Sequence, residues 1–294
     1  MPETRAAGTI YDLGYQRYGG QRLGRDNAIA NLIRYSFRAA FGVGRGPKAR
    51  FLPMIVTTVV FLPAVVQVGI ASATGRPEVV NYAGQLNFTA FLLALFVAVQ
   101  APELVVTDKQ QGVLSLYLSR PLTATDYAMS KMFALTGAML CITLGPQLFM
   151  FFGKVLLSST PWALFKSEYP QLAPIIGGTL MTSIFVAAIG LSLSSLSSKR
   201  ANATASVIAA FLVLPAAAEI IRAVTTGSIR RYAPLANPIL VINGFVTWLF
   251  DVQARKRAVI TRLDLPGQAY LYVMIGVTIL GVALLVWRYR RASA

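Results

Sequence analysis

From Glu103 to Lys131 the chain reads ELVVTDKQQGVLSLYLSRPLTATDYAMSK. This stretch is polar, and it separates two strongly apolar segments at 86–106 and 128–153. Each flank is long enough to cross a membrane, because about 20 residues rising about 1.5 Å each cover a hydrocarbon core roughly 30 Å thick. Within the stretch, Glu103 closes one apolar run. Gly112 opens a short segment in which Leu114, Leu116 and Leu118 lead into Ser119-Arg120-Pro121, and Tyr127 and Lys131 enter the next run. A short polar connection between two spans sets the frame for the rest of the chain.

Composition agrees with that frame. Of 294 residues, 55% are apolar and only 13% are charged, against about 25% charged in an ordinary soluble domain. The chain carries 27 Lys and Arg against 11 Asp and Glu, a formal charge of +16. The basic residues flank apolar runs, which fits an anionic membrane surface better than nucleic acid. Cys141 is the single cysteine, so no internal disulfide forms, and there is no histidine. The commonest general base and the usual zinc ligand are therefore missing. The first 50 residues are polar and basic, unlike a cleaved signal peptide.

Residues 1–50 read as a tail followed by an amphipathic helix. Over 28–41, Ile29, Leu32, Ile33, Phe37, Ala40 and Phe41 share one helical face, and Arg34 and Arg38 lie on the other. No soluble domain is available to cover the apolar face, which assigns this helix to the membrane interface. Residues 51–294 form the transmembrane domain, with spans at about 51–71, 86–106, 128–153, 171–196, 203–224 and 268–287. Pro215 predicts a kink in the fifth span. The segment 232–250 is apolar enough to be considered as a span. Pro234, Asn237, Pro238, Asn243 and Gly244 favour instead a re-entrant pair of short helices whose broken backbone is buried by protein. No internal repeat is evident. The fold class expected is thus an all-α polytopic membrane protein with six spans.

Individual side chains carry further expectations. Glu103 is costly at the end of a span unless paired or wet; it could pair with Arg120 or Lys131 across the connection, or reach interfacial water. Lys131 and Lys154 bracket the third span and can snorkel to opposite interfaces. Thr123 or Thr125 can cap the helix that follows, with Asp126 favoured by its dipole. Glu219 and Arg222 are three apart and share a helical face, as a local ion pair or a polar gate. Ser192, Ser194, Ser195, Ser197 and Ser198 allow close helix packing.

The order Glu103, Gly112, Leu114, Leu116, Ser-Arg120-Pro121, Lys131, between two spans, resembles the cytoplasmic coupling segment of type-2 ABC exporter permeases. The amphipathic helix with Arg34, Phe37 and Arg38 and the interrupted region before the last span are also similar to that family's layout. The resemblance implies a coupling helix that docks on a separate ATPase subunit. It further implies two copies of that ATPase, a second permease subunit (the same chain or a relative), and a hydrophobic or amphipathic cargo such as a drug or lipid-like compound. It places the chain in a bacterial-type plasma membrane with both termini cytoplasmic. ATP and Mg would sit in the partner. No cofactor is expected on this chain, because a P-loop needs Gly-Lys-Ser/Thr and Gly153-Lys154 is followed by Val155. The alternatives are an ion-coupled carrier or channel, which would want acidic residues at mid-membrane, and an intramembrane enzyme, for which histidine chemistry is lacking.

Overall fold

The computed structural model describes residues 24–113, 122–252 and 265–293, and the described part is helical with no strands. The helices are α1 (Arg25–Ala40), α2 (Pro47–Thr74), α3 (Tyr82–Gln110), α4 (Ala124–Leu156), α5 (Pro161–Glu168), α6 (Leu172–Leu196), α7 (Arg200–Ile208), α8 (Leu214–Val224), α9 (Gly227–Tyr232), α10 (Pro238–Leu249) and α11 (Gly267–Ser293). A π-helical turn, Ala209–Val213, joins α7 to α8. It makes the fifth apolar helix a bulged rod just before Pro215, where a kink is expected.

Six helical segments are long and apolar enough to cross a membrane. That makes the fold compatible with a multi-pass membrane protein. The helices extend about a turn beyond most of the apolar runs, to Gln110 rather than 106 and from Ala124 rather than 128. Polar residues there find hydrogen bonds and ion pairs, so the helix continues past the apolar limit. The loop expected at 154–170 holds the short helix α5.

α3 lies at the centre. Leu86, Ala90, Leu93, Phe96, Val97, Ala101 and Val105 are fully buried; Phe88, Phe91 and Leu95 are exposed on the opposite side of the first half, and from Phe96 to Val106 the helix is buried on nearly every side. α2, the α7–α8 rod and α11 are peripheral and bare on their outer faces. Between helices in lipid, burial of apolar area gives little net drive, so close contact must hold them. Small residues provide it. Gly190 of α6 faces Val97 so closely that a Cβ would lie 2.2 Å from its Cγ2, and Gly145 of α4 faces Phe61. Polar side chains add specific ties. Gln85 donates to the Val60 carbonyl at 2.7 Å, and Gln147 donates to the Tyr82 carbonyl at 2.9 Å.

α1 runs beside the start of α4 in the same direction, with Arg25 bonded to Asp126 and Phe37 over Gly137. Leu32, Ser36, Ala39 and Ala40 are buried, Phe37 is half-buried, and Arg34 and Arg38 are exposed. Part of this apolar face packs on α4, with the Phe37 ring against Gly137.

The interrupted region is a bent pair. α9 and the 3-10 turn Ala233–Ala236 meet α10 at 92°. They run back along α8, with Ile229 and Ala236 bordering the same groove as Ile221 and Leu214. The chain turns at Asn237, which caps α10 by accepting from the Leu240 N–H at 3.1 Å. α10 then returns, so that Trp248 lies against Gly267 at the start of α11, and Leu249 against Gly178 near the start of α6. The pair thus enters and leaves at one end of the bundle. Chain order places α1, the α3–α4 connection, the α6–α7 turn and the end of α11 together at the opposite end.

Candidate functional site

The α3–α4 connection leaves α3 through Gly112, whose φ of +64° is the left-handed conformation that glycine adopts freely. Leu114, Leu116, Arg120 and Pro121, the heart of the proposed coupling segment, lie outside the described residues. The chain is described again as it enters α4 through a capping box. Thr123 Oγ1 accepts from the Asp126 N–H at 3.2 Å, and the Thr123 N–H donates to Asp126 Oδ2 at 2.9 Å. Of the two capping candidates it is Thr123 that caps. Thr125 instead accepts from Arg290 Nε of α11 at 3.3 Å. Arg25 adds a bidentate pair to Asp126 at 2.9 and 2.8 Å. One carboxylate therefore fixes the starts of both α4 and α1.

Beneath the connection lies a buried polar hub. Asp108 Oδ2 accepts from Tyr127 OH at 2.7 Å and from Lys131 Nζ at 2.8 Å. The Lys131 side chain is 1% exposed. Two expectations for it are corrected. It does not snorkel, and it does not pair with Glu103. Asp108 is the nearer carboxylate because α3 continues as helix past Glu103 and carries Asp108 to face α4. The Tyr127 ring meets Tyr289 of α11 edge-on, with centroids 4.8 Å apart.

Glu103 points away from α4. Its carboxylate bridges Arg45 of the α1–α2 loop at 2.7 Å and Arg200 at the start of α7 at 2.5 Å. The two acids are five residues apart, about 140° around a helix of 3.6 residues per turn, so they serve different neighbours. Lys109 Nζ donates to the Ser195 carbonyl, and Gln110 Nε2 donates to the Ser198 carbonyl at 3.0 Å. The end of α3 is thereby tied to the α1–α2 loop, α4, α6, α7 and α11. Ser192, Ser194 and Ser195 are buried at the same end, where their small size permits that approach.

The remaining site candidates lie apart. Arg222 Nε donates to Glu219 Oε2 at 2.7 Å as an i,i+3 pair at the far end of the α7–α8 rod. Lys154 is 2.8 Å from Glu168 of α5 at that same end, again paired. An apolar cavity of about 330 Å³ opens between α6, the α7–α8 rod, the turn at Asn237 and α11, lined by Phe185, Ile189, Leu214, Pro238 and Val277. Among the described residues no group of three His, Cys, Asp or Glu side chains could hold a metal.

Sequence reasoning singled out Glu103 and Lys131 and missed their partners. Asp108 was legible in principle, because Tyr127 and Lys131 are four apart and share a helical face that needs an acceptor. Arg45 and Arg200 arrive from distant connections and leave no local signal. No protein-family model matches the chain, and no curated protein is significantly similar to it.

Proposed function

We propose that the chain is the membrane-spanning subunit of an ATP-driven exporter of the type-2 ABC class. The observation that carries this reading is the polar hub at the α3–α4 connection. A force applied to that connection would reach α4 through Asp108, Tyr127 and Lys131, and α7 through Glu103 and Arg200. Such a joint suits a subunit that receives its work from outside. Residues 114–121 would form the coupling helix, with Leu114 and Leu116 entering a cleft on the ATPase and Arg120 making a charge-assisted hydrogen bond there.

Charge supports the orientation. Arg25, Arg34 and Arg38 of α1, Arg45, Lys48 and Arg50 after it, Lys199-Arg200, and Arg288, Arg290 and Arg291 all lie at the hub end. By the positive-inside rule that end is cytoplasmic, with both termini on the same side. Arg34 and Arg38 of α1 would face the headgroups of the plasma membrane. The bent pair α9–α10 would enter from the outside and turn within the membrane, its broken backbone covered by α8 and α11. Two such subunits and two ATPase subunits would complete the pump, with ATP and Mg held by the ATPases. The apolar cavity beside the Asn237 turn suits a hydrophobic or amphipathic cargo.

The buried Asp108–Lys131 pair favours one second reading, an ion-coupled carrier. Asp108 lies only two residues from the end of α3, which suits a joint better than a mid-membrane relay. The test is the variant Leu116→Asp with Arg120→Glu, assayed for co-purification of an ATPase from the native membrane. The exporter reading predicts loss of the ATPase with the bundle still inserted. Unchanged assembly removes the coupling assignment.

A further inference from the structure

A cleft of about 290 Å³ lies beside the hub, lined by Arg45, Lys48, Leu52, Gln100, Glu103 and Arg200. Three cations and one carboxylate share it. Glu103 is already bonded to both arginines, whereas Lys48 is exposed and forms no ion pair among the described residues. Gln100 is 4% exposed. It lies one helical turn before Glu103 on the same face of α3, and its amide makes no hydrogen bond among the described residues. The amide faces the open, positively charged space of the cleft, where a ligand oxygen can reach it. Two helix starts also border that space. Lys48 and Ala49 belong to the first turn of α2, Arg200 begins α7, and neither helix has a side-chain cap. The open N–H groups at the start of α7 add positive potential, whereas at the start of α2 Pro47 has no N–H and that of Ala49 donates to the Gly46 carbonyl.

We propose that this cleft binds the phosphate of an anionic phospholipid. Lys48 and the Gln100 amide N–H would donate to the phosphate, together with guanidinium N–H groups of Arg45 and Arg200 not used by Glu103. A lipid rather than a soluble phosphate is indicated by the surface beyond the cleft. Leu52 forms its wall, and the adjoining Phe51 and Met54 of α2 are 68% and 65% exposed. They offer an apolar track for acyl chains directly beside the headgroup. The proposal rests on the reading of α2 as a membrane span and not on the exporter reading. Because the same arginines hold Glu103, an occupied cleft would brace the α1–α2 loop against α7.

The test is native mass spectrometry of the full chain in neutral detergent, titrated with phosphatidylglycerol or phosphatidylcholine. The wild type is expected to retain phosphatidylglycerol preferentially. Lys48→Glu, a surface change that leaves the bundle intact, should weaken that retention by about tenfold or more, the loss of one charge-assisted hydrogen bond. Gln100→Leu should weaken it with the charge unchanged. Equal retention by wild type and Lys48→Glu overturns the site. Displacement of the lipid by millimolar inorganic phosphate overturns the lipid assignment and makes this a soluble-anion site. Assembly with an ATPase is read separately, so failure here leaves the exporter proposal standing.

Discussion

Replacing Asp108 by Ala would leave the Lys131 ammonium with neither water nor a carboxylate. The Lys131 side chain is 1% exposed and that of Asp108 11%, at 2.8 Å separation, so solvent screens the pair little. Removing one partner of such a pair costs about 3–5 kcal/mol, whereas replacing both by neutral groups of similar size is often close to neutral. Tyr127→Phe removes the hydrogen bond to Asp108, a charged acceptor that keeps its lysine, and should cost about 1.5–3 kcal/mol. At about 1.6 °C per kcal/mol for a chain of 294 residues, Asp108→Ala should melt roughly 5–8 °C below wild type. Tyr127→Phe should fall between the two. The double variant Asp108→Asn with Lys131→Met should recover most of the loss. The assay is tryptophan fluorescence in one detergent at a fixed heating rate, because membrane proteins often unfold irreversibly and only matched scans compare. Trp162, Trp248 and Trp287 report from three different helices. If Asp108→Ala and the double variant melt together, the buried charge is not what Asp108 satisfies, and the hub reasoning fails.

Further expectations concern other joints. Glu103→Gln should loosen the hold on Arg200, which is half-exposed, and so speed tryptic cleavage after Lys199 or Arg200, while stability falls by less than for Asp108→Ala, about 1–3 kcal/mol, because Arg200 can still reach water. Gly190→Ala should destabilise by about 1–3 kcal/mol through overpacking against Val97, and Val97→Ala in the same chain should restore much of it; no rescue would place the strain elsewhere. In a chain lacking Cys141, Ser228→Cys and Val252→Cys should react with an impermeant maleimide from the same side as Ser158→Cys, and Ser198→Cys from the other. Opposite labelling of positions 228 and 252 would make the bent pair a full crossing.

What the sequence disclosed depended on the range of the signal. The six apolar helices were readable because each is a contiguous run, and even the interruption at Asn237 announces itself through Pro234, Asn237 and Pro238. The helix ends were not, since α3 continues to Gln110 on the strength of partners contributed by Ser195 and Ser198. Glu103 and Lys131 were recognisable as charges needing partners. Pairing them with each other was the local solution. The fold chose distant ones, because five residues on α3 rotate Asp108 toward Lys131 and leave Glu103 facing Arg45 and Arg200. α1 shows the same limit. Its amphipathic pattern was plain, but a pattern does not say whether lipid or α4 covers the apolar face. The place of Gln100 left no trace in the sequence, since only the fold brings it into one cleft with Arg45, Lys48 and Arg200.

The central claim is that this chain receives work from a separate ATPase. Purification of the tagged protein from its native membrane in mild detergent, followed by mass spectrometry, tests it most directly. The account predicts a stoichiometric soluble partner carrying a P-loop, lost when Leu116 and Arg120 are replaced by acids. A chain that purifies alone and moves a solute without ATP would contradict it.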